Sequence, residues 1–276
     1  MIGMHPEMYG LPEVNLFCTN TLEDLLARAS RRGYRWVKAG LLRVIAELHA
    51  GEQTDDSVAE AEVWLAARVR WSTRDVYVYI AEQVAPRRCV DKSPPYTQAE
   101  NMARLYQAFP HARVLLLGRH PRGSGISRHK VLTKRYAKGA HGSEKHLAAD
   151  VEELWTRAQT DVIRFTSRLP PGQYMFLQGE HLLSDPDRYL PQIAAWLGID
   201  AGLEAIEAMK HPERSPYARP GPANAKAGNN PGFMQDPVLR VMNYPTSTLE
   251  GPLEWLDTDS GFSEETKQLA RQLGYR

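Results

Sequence analysis

At 276 residues, the chain is long enough for one large domain with a sizeable core. Thirty-four Lys and Arg against 33 Asp and Glu leave no overall field, so global charge points neither to nucleic acid nor to an anionic membrane as partner. A hydrophobic fraction of 42% argues against disorder, and no apolar run approaches the roughly 18 residues of a membrane span.

Residues 1–17 hold two prolines and two glutamates, with neither the basic start nor the apolar core of a secretory signal. Cys18 and Cys89 are too few for a disulfide framework or a cysteine-based zinc site, and they fit a reducing cytoplasm. Nine scattered histidines, His141 and His146 among them, show no metal-ligand spacing, so no metal is expected.

In chain order, Met1, Ile2 and Met4 read as the tail of an apolar helix that His5 and Pro6 terminate. Thr21, with Asp24 three residues on, is a helix start close to a capping box. Leu22, Leu25 and Leu26 form that helix's apolar stripe, broken at Gly33. Trp36, Leu41, Leu42, Ile45 and Leu48 continue as a second helix. After a loop ending at Asp56, Val58–Val69 and Arg74–Val84 read as two more. These helices either cover a sheet or frame a substrate pocket.

Cys89 and Val90 make a short strand, and Met102, Leu105, Tyr106 and Phe109 share a helix face. Val114–Leu117 is a second strand, so Cys89–Ser127 is expected to be a strand–helix–strand unit in one parallel sheet. From Arg119 to Lys145 eight Arg or Lys face one Glu, either a solvated face or part of a binding surface. A long helix follows from about Glu144 to Arg168, then a strand at Tyr174–Leu177. A further helix runs from Asp185 and Pro186 to Leu197, closed by Gly198. Between Lys210 and Pro237 no period survives; a run of that kind is a lid, a binding loop or disordered. Tyr217 and Phe233 are its expected anchors. Ser263–Tyr275 reads as a final amphipathic helix.

Two constellations carry chemistry. Ligands of open α/β sheets bind outside the carboxyl ends of the strands, which puts Asp91, Lys92 and Arg119 at such an edge. A carboxylate there can take a proton from a hydroxyl nucleophile, and an ammonium can neutralise a leaving phosphate; the alternative is a salt-bridged loop. Arg119, a strand–turn–helix start and Ser127 two turns along make an anion site. The alternative is an arginine capping its strand. Gly118, Gly123 and Ser124 imitate a phosphate loop, but the lysine of GxxxxGK[ST] is missing.

Together, these segments resemble the sulfotransferases of the bacterial kind that use 3′-phosphoadenosine 5′-phosphosulfate. VDKSPPY resembles the family's [DE]-K-[ST]-P-x-Y segment, and FPHARVLLLGRHPRGSGIS its 3′-phosphate signature. YMFLQGEHLLSDPDRYLPQIAAWLGI, HPEMYGLPEVNLF and QLARQLGY match further segments. The resemblance implies an α/β fold: a three-layer parallel sheet flanked by helices, like that of P-loop nucleotide kinases. It implies one domain over residues 1–276: a helical segment to 88 on the substrate side, a nucleotide-binding core at 89–200, a lid loop at 210–237 and C-terminal helices from 238.

Carried over residue by residue, Arg119 and Ser127 bind the donor's 3′-phosphate, Asp91 is the catalytic base and Lys92 sits near the transferred group. Arg219 and Lys226 are assigned as the lid's cations, since the family's Arg-Lys-Gly triplet is not present. The implied acceptor is a hydroxyl or amine on a small molecule, carbohydrate, lipid or polyketide. In relatives an opening strand and a PRSGTT-type loop lie just upstream of the segment matching Met1–Glu13; nothing here replaces them, so the first strand of the sheet and the 5′-phosphosulfate loop are expected to be missing. Gln178, Gly179 and Glu180 depart from its usual Tyr-Glu-Asp, and Gly123–Gly125 are looser than its Arg-Asp-Pro-Arg-Asp pattern. A truncated, inactive nucleotide-binding relic and a nucleotide or sugar kinase are the competing readings.

Overall fold

The computed structural model of the protein describes residues 1–136, 144–241, 247–256 and 258–276. Strand β1 (Met8–Gly10) precedes four helices, α1 (Leu22–Ser30), α2 (Trp36–Ala50), α3 (Asp55–Ala66) and α4 (Thr73–Val84). Strand β2 (Arg88–Val90), helix α5 (Ala99–Ala108), strand β3 (Val114–Gly118) and helices α6 (Pro121–Tyr136) and α7 (Glu144–Thr166) follow. Strand β4 (Tyr174–Gln178) leads into α8 (Gly179–Ser184), α9 (Pro186–Leu197), α10 (Leu203–Met209), α11 (Pro231–Gln235) and α12 (Glu264–Gln272). Two compact units result: Met1–Ala112 with Asp187–Arg240, and Arg113–Pro186 with Val241–Arg276. The stretch 89–200, expected as one core, is divided between them.

The first unit is built on α2. Its sequence is apolar on every side, and Val37, Leu41, Leu42, Val44, Ile45 and Ala46 are all buried. Caps start its neighbours. The Thr21 hydroxyl accepts the Asp24 N–H (3.1 Å) at α1, and Thr54 with Ser57, and Ser72 with Asp75, close reciprocal capping boxes at α3 and α4. Leu22, Leu25, Val58, Leu65, Val76 and Ile80 then turn into the same core.

Strand β1 is not legible in the sequence. Met1–Met4 carry a 3-10 turn at Ile2–Met4 rather than a helix tail, and the chain then pairs in parallel with β2, Met8 opposite Arg88 and Gly10 opposite Val90. Gly3 and Gly10 cross here without side chains. A methyl on Gly3 would lie 2.2 Å from the Gly10 Cα.

The loop between α10 and α11 lacks regular periodicity, as expected, but it is packed. Arg43, only 1% exposed, donates from Nη2 to the Arg219 carbonyl (2.8 Å), from Nη1 to that of Ala227 (3.3 Å) and from Nε to Gln53 Oε1 (2.6 Å). Burial lowers the pKa of its guanidinium, and Tyr217 and Glu47 oppose that shift. Tyr217 is buried as anticipated, its hydroxyl 2.7 Å from that of Tyr9. The second anchor is Met234 rather than Phe233, because α11 turns Met234 inward against the Arg43 guanidinium (3.8 Å) and leaves Phe233 partly exposed.

In the second unit, β3 and β4 pair in parallel from Val114 opposite Tyr174 to Gly118 opposite Gln178. Cys89–Ser127 therefore contributes one strand to each of two sheets rather than two strands to one. The core gathers Val151, Trp155, Leu249, Leu253, Trp255, Phe262, Ala270, Leu273 and Tyr275. Part of the expected basic run, residues 137–143 with His141, lies outside the described residues, as does the side chain of His146. No helix among the described residues is long and apolar enough to cross a membrane.

Candidate active site

One cluster of candidate residues sits at the carboxyl end of β2. Asn15, held at φ 54° by donating to the Glu13 and Val37 carbonyls (3.1 Å each), offers its backbone N–H to Ser93 Oγ (3.1 Å). Ser93, itself buried, donates that hydroxyl to Asp91 Oδ1 (2.9 Å). One carboxylate oxygen is thus fixed. The other, Oδ2, is buried without a hydrogen-bond partner.

Burial dominates the electrostatics and pushes the Asp91 carboxyl up to about 7. The Ser93 and Tyr96 hydroxyls and the Lys92 charge work against that rise, and Glu13 adds to it. Phe17, Tyr77, Tyr96 and Phe109 form one aromatic cluster, with ring centroids 5.1–5.9 Å apart in the pairs that meet, and Tyr77 and Tyr96 in it feel the Asp91 charge. Tyr77 and Tyr96 are held well above the usual phenol range, by burial first and by the Asp91 charge second. The Cys89 and Cys18 thiols are raised to about 11, chiefly by burial.

Lys92 points away from Asp91. Its ammonium bonds Glu13 Oε1 (2.7 Å) and Asn229 Oδ1 (3.3 Å). Glu13 in turn donates its backbone N–H to the Gly228 carbonyl (2.6 Å). The loop and the end of β2 are fastened together here, and Gly40 makes the approach feasible: a methyl on it would lie 2.2 Å from the Glu13 carbonyl. Arg219 and Lys226 keep exposed side chains, while the Arg219 carbonyl caps Arg43. Ser93 and Tyr96 lie in the DKSPPY segment and were within reach of sequence reasoning. Glu13 and Asn229 are 79 and 137 residues from Lys92 and carry no motif.

A separate cluster, in the other unit, stands at the end of β3. Arg119 is exposed and Ser127 lies exposed in the second turn of α6. The Arg119 backbone is held on both sides. Its carbonyl accepts Trp155 Nε1 (3.1 Å), and the next N–H, that of His120, is taken by Glu180 Oε1 (2.8 Å). A methyl on Gly123 would come 3.3 Å from Arg119 Nε, and one on Gly125 would meet the Trp255 ring at 2.2 Å. The glycines that loosened the motif thus have packing reasons. Arg122 is committed elsewhere, to the Thr248, Glu250 and Pro252 carbonyls (2.8–3.0 Å) and to Glu254 (3.0 Å).

Among the described residues no group of His, Cys, Asp or Glu could hold a metal ion. A surface cavity of about 710 Å³ between α9 and α10, lined by Asp187, Leu203, Glu207 and Lys210, contains none of the predicted site residues.

Comparison with curated proteins gave no match. Two solved structures resemble the fold. The Sulfotransferase Domain from the Curacin Biosynthetic Pathway aligns over 100% of this chain and 91% of its own at 19% identity (TM-score 0.73). The Sulfotransferase Domain from the Synechococcus PCC 7002 Olefin Synthase aligns over 100% and 88% at 21% identity (TM-score 0.74). The model of the Sulfotransferase family matches residues 1–202, and the chain belongs to that family.

Proposed function

We propose that the protein transfers a sulfuryl group from 3′-phosphoadenosine 5′-phosphosulfate to an acceptor hydroxyl or amine, on a three-layer fold of the P-loop nucleotide-kinase type. The observation that carries this reading is Asp91: a carboxyl at a strand's carboxyl end, raised to about 7, with one oxygen anchored and the other unpartnered. A base poised near the working pH is what deprotonation of an acceptor requires.

The residues at the end of β3 fit the donor's phosphates. Arg119 is an exposed two-pronged cation lying over Gly123, and Ser127 adds an exposed hydroxyl in the second turn of α6. When bound, the donor supplies the electrophilic sulfuryl group. Arg119 and Ser127 hold its 3′-phosphate, Asp91 Oδ2 accepts the acceptor's proton, and Lys92 offsets negative charge on the leaving group. Arg219 and Lys226 supply further positive charge from the loop. Such catalysis is positioning plus electrostatics, by analogy with phosphoryl transfer. Likeness to domains of a biosynthetic pathway and a synthase supports a biosynthetic intermediate, such as a polyketide, as acceptor.

The test pairs two measurements. With the donor and a panel of hydroxyl and amine acceptors, the protein releases 3′,5′-adenosine bisphosphate, while Asp91→Asn binds that bisphosphate and does not release it. Normal turnover by Asp91→Asn, or no bisphosphate binding by the unaltered protein at millimolar ligand, overturns the reading.

A further inference from the structure

Behind Arg119 lies a buried polar group that the reaction as described does not use. His120 is 4% exposed and Tyr275 7%. The His120 ring accepts the Arg122 N–H at Nδ1 (3.1 Å), which places its own proton on Nε2. Its ring meets that of Tyr275 edge-on, centroids 5.3 Å apart. The Tyr275 phenol is raised above its ordinary range by burial first and by the Glu180 charge second, and its oxygen, like Glu180 Oε2, is buried without a hydrogen-bond partner.

Burial also lowers the His120 pKa, against the opposing pull of Glu180, so the imidazole stays neutral. The C-terminal segment is pinned over this group, since Gln178 Nε2 donates to the Leu273 carbonyl (2.9 Å) and Gly274 turns at φ 79°. Gly118 admits the phenol: a methyl there would lie 2.9 Å from the Tyr275 oxygen.

Two contacts converge on the Arg119–His120 peptide: Glu180 Oε1 accepts its N–H, and Trp155 Nε1 donates to its carbonyl. A carboxylate buried at the neighbouring strand end is costly unless it holds something in place. What it holds is the β3–α6 turn from which the Arg119 guanidinium springs.

We infer that Glu180 is a positioning residue that sets Arg119 for recognition of a 3′-phosphate, through its hydrogen bond to the next N–H. The inference rests on the proposed donor site and adds a chain of command to it. Glu180 touches no nucleotide; it acts only through Arg119.

The test compares 3′,5′-adenosine bisphosphate with adenosine 5′-monophosphate by calorimetry. The unaltered protein prefers the bisphosphate. Glu180→Ala lowers that preference by about tenfold or more, as expected when a charge-assisted hydrogen bond is lost. Monophosphate binding holds. Glu180→Gln keeps an oxygen for the His120 N–H and restores most of the preference. In an Arg119→Ala background, Glu180→Ala has no further effect. Glu180→Asp, which keeps the charge but draws the carboxylate back from the His120 N–H by one methylene, lowers the preference likewise and keeps the inference testable should Glu180→Ala fail to fold. Equal weakening of both nucleotides, an undiminished effect without Arg119, or an unchanged preference in Glu180→Asp when Glu180→Ala does not fold overturns the inference. A protein that shows no preference for the bisphosphate at all overturns the donor reading instead.

Discussion

Replacing Asp91 with asparagine stabilises the protein above neutral pH and leaves its stability unchanged near pH 4. The carboxyl moves from 3.8 in the unfolded chain to about 7 in the fold, chiefly through burial. Its folded pKa lies above its unfolded one, so between those values the folded state binds the extra proton. Stability therefore falls as pH rises through this window. Three pH units at about 1.36 kcal/mol each give up to roughly 4 kcal/mol by pH 8, once the charge is forced into its buried place. Asparagine never charges, and its carbonyl can still accept the Ser93 hydroxyl that now bonds Oδ1 at 2.9 Å. Urea unfolding of both proteins from pH 4.5 to 8.5 reads the gap directly. It opens with pH and levels off above 7. A gap that is flat, or that closes as pH rises, refutes the assignment of a buried, proton-retaining carboxyl. If Asp91 is the base, as proposed, the same variant gains stability where it loses turnover.

Lys92→Met costs under about 1 kcal/mol in urea, because the ammonium it removes is 58% exposed; turnover falls by about 100-fold or more if that charge offsets the leaving group. Gly40→Ala places a methyl 2.2 Å from the Glu13 carbonyl and costs about 3 kcal/mol or more by the same assay. Arg43→Met strips the donors from the Arg219 and Ala227 carbonyls, each worth about 1–3 kcal/mol when left unpaired. Limited proteolysis then cuts between Pro216 and Pro231 sooner than in the unaltered protein.

What the sequence disclosed, it disclosed through local rules. Thr21 and Asp24 announce α1 because a cap and its acid are three residues apart, and Gly198 closes α9 because the turn there needs φ 60°. The end of β3 and the residues Arg119 and Ser127 follow from an apolar run meeting a helix start. Strand β1 stayed hidden because three residues carry no alternation and their partner is 80 positions away. Glu13 stayed hidden for the same reason, since nothing near it names Lys92. Arg43 did leave a signal. An arginine flanked by Leu41, Leu42, Val44 and Ile45 sits where no water reaches, and such a residue must have buried acceptors somewhere. Which acceptors, only the fold could tell.

That arginine has a consequence for how the loop moves. Irregular segments ordinarily exchange their amide hydrogens first, through small openings that cost little. Here the Arg219 and Ala227 carbonyls are bound to a charge rooted in the innermost helix of the unit, 176 and 184 residues earlier. Peeling the loop away breaks both of these bonds and strips Tyr217 and Met234 from the guanidinium, so the opening costs far more than that of an unattached loop. The loop and the helix then form one cooperative unit. The chain's least regular stretch then exchanges on the timescale of one of its most buried helices.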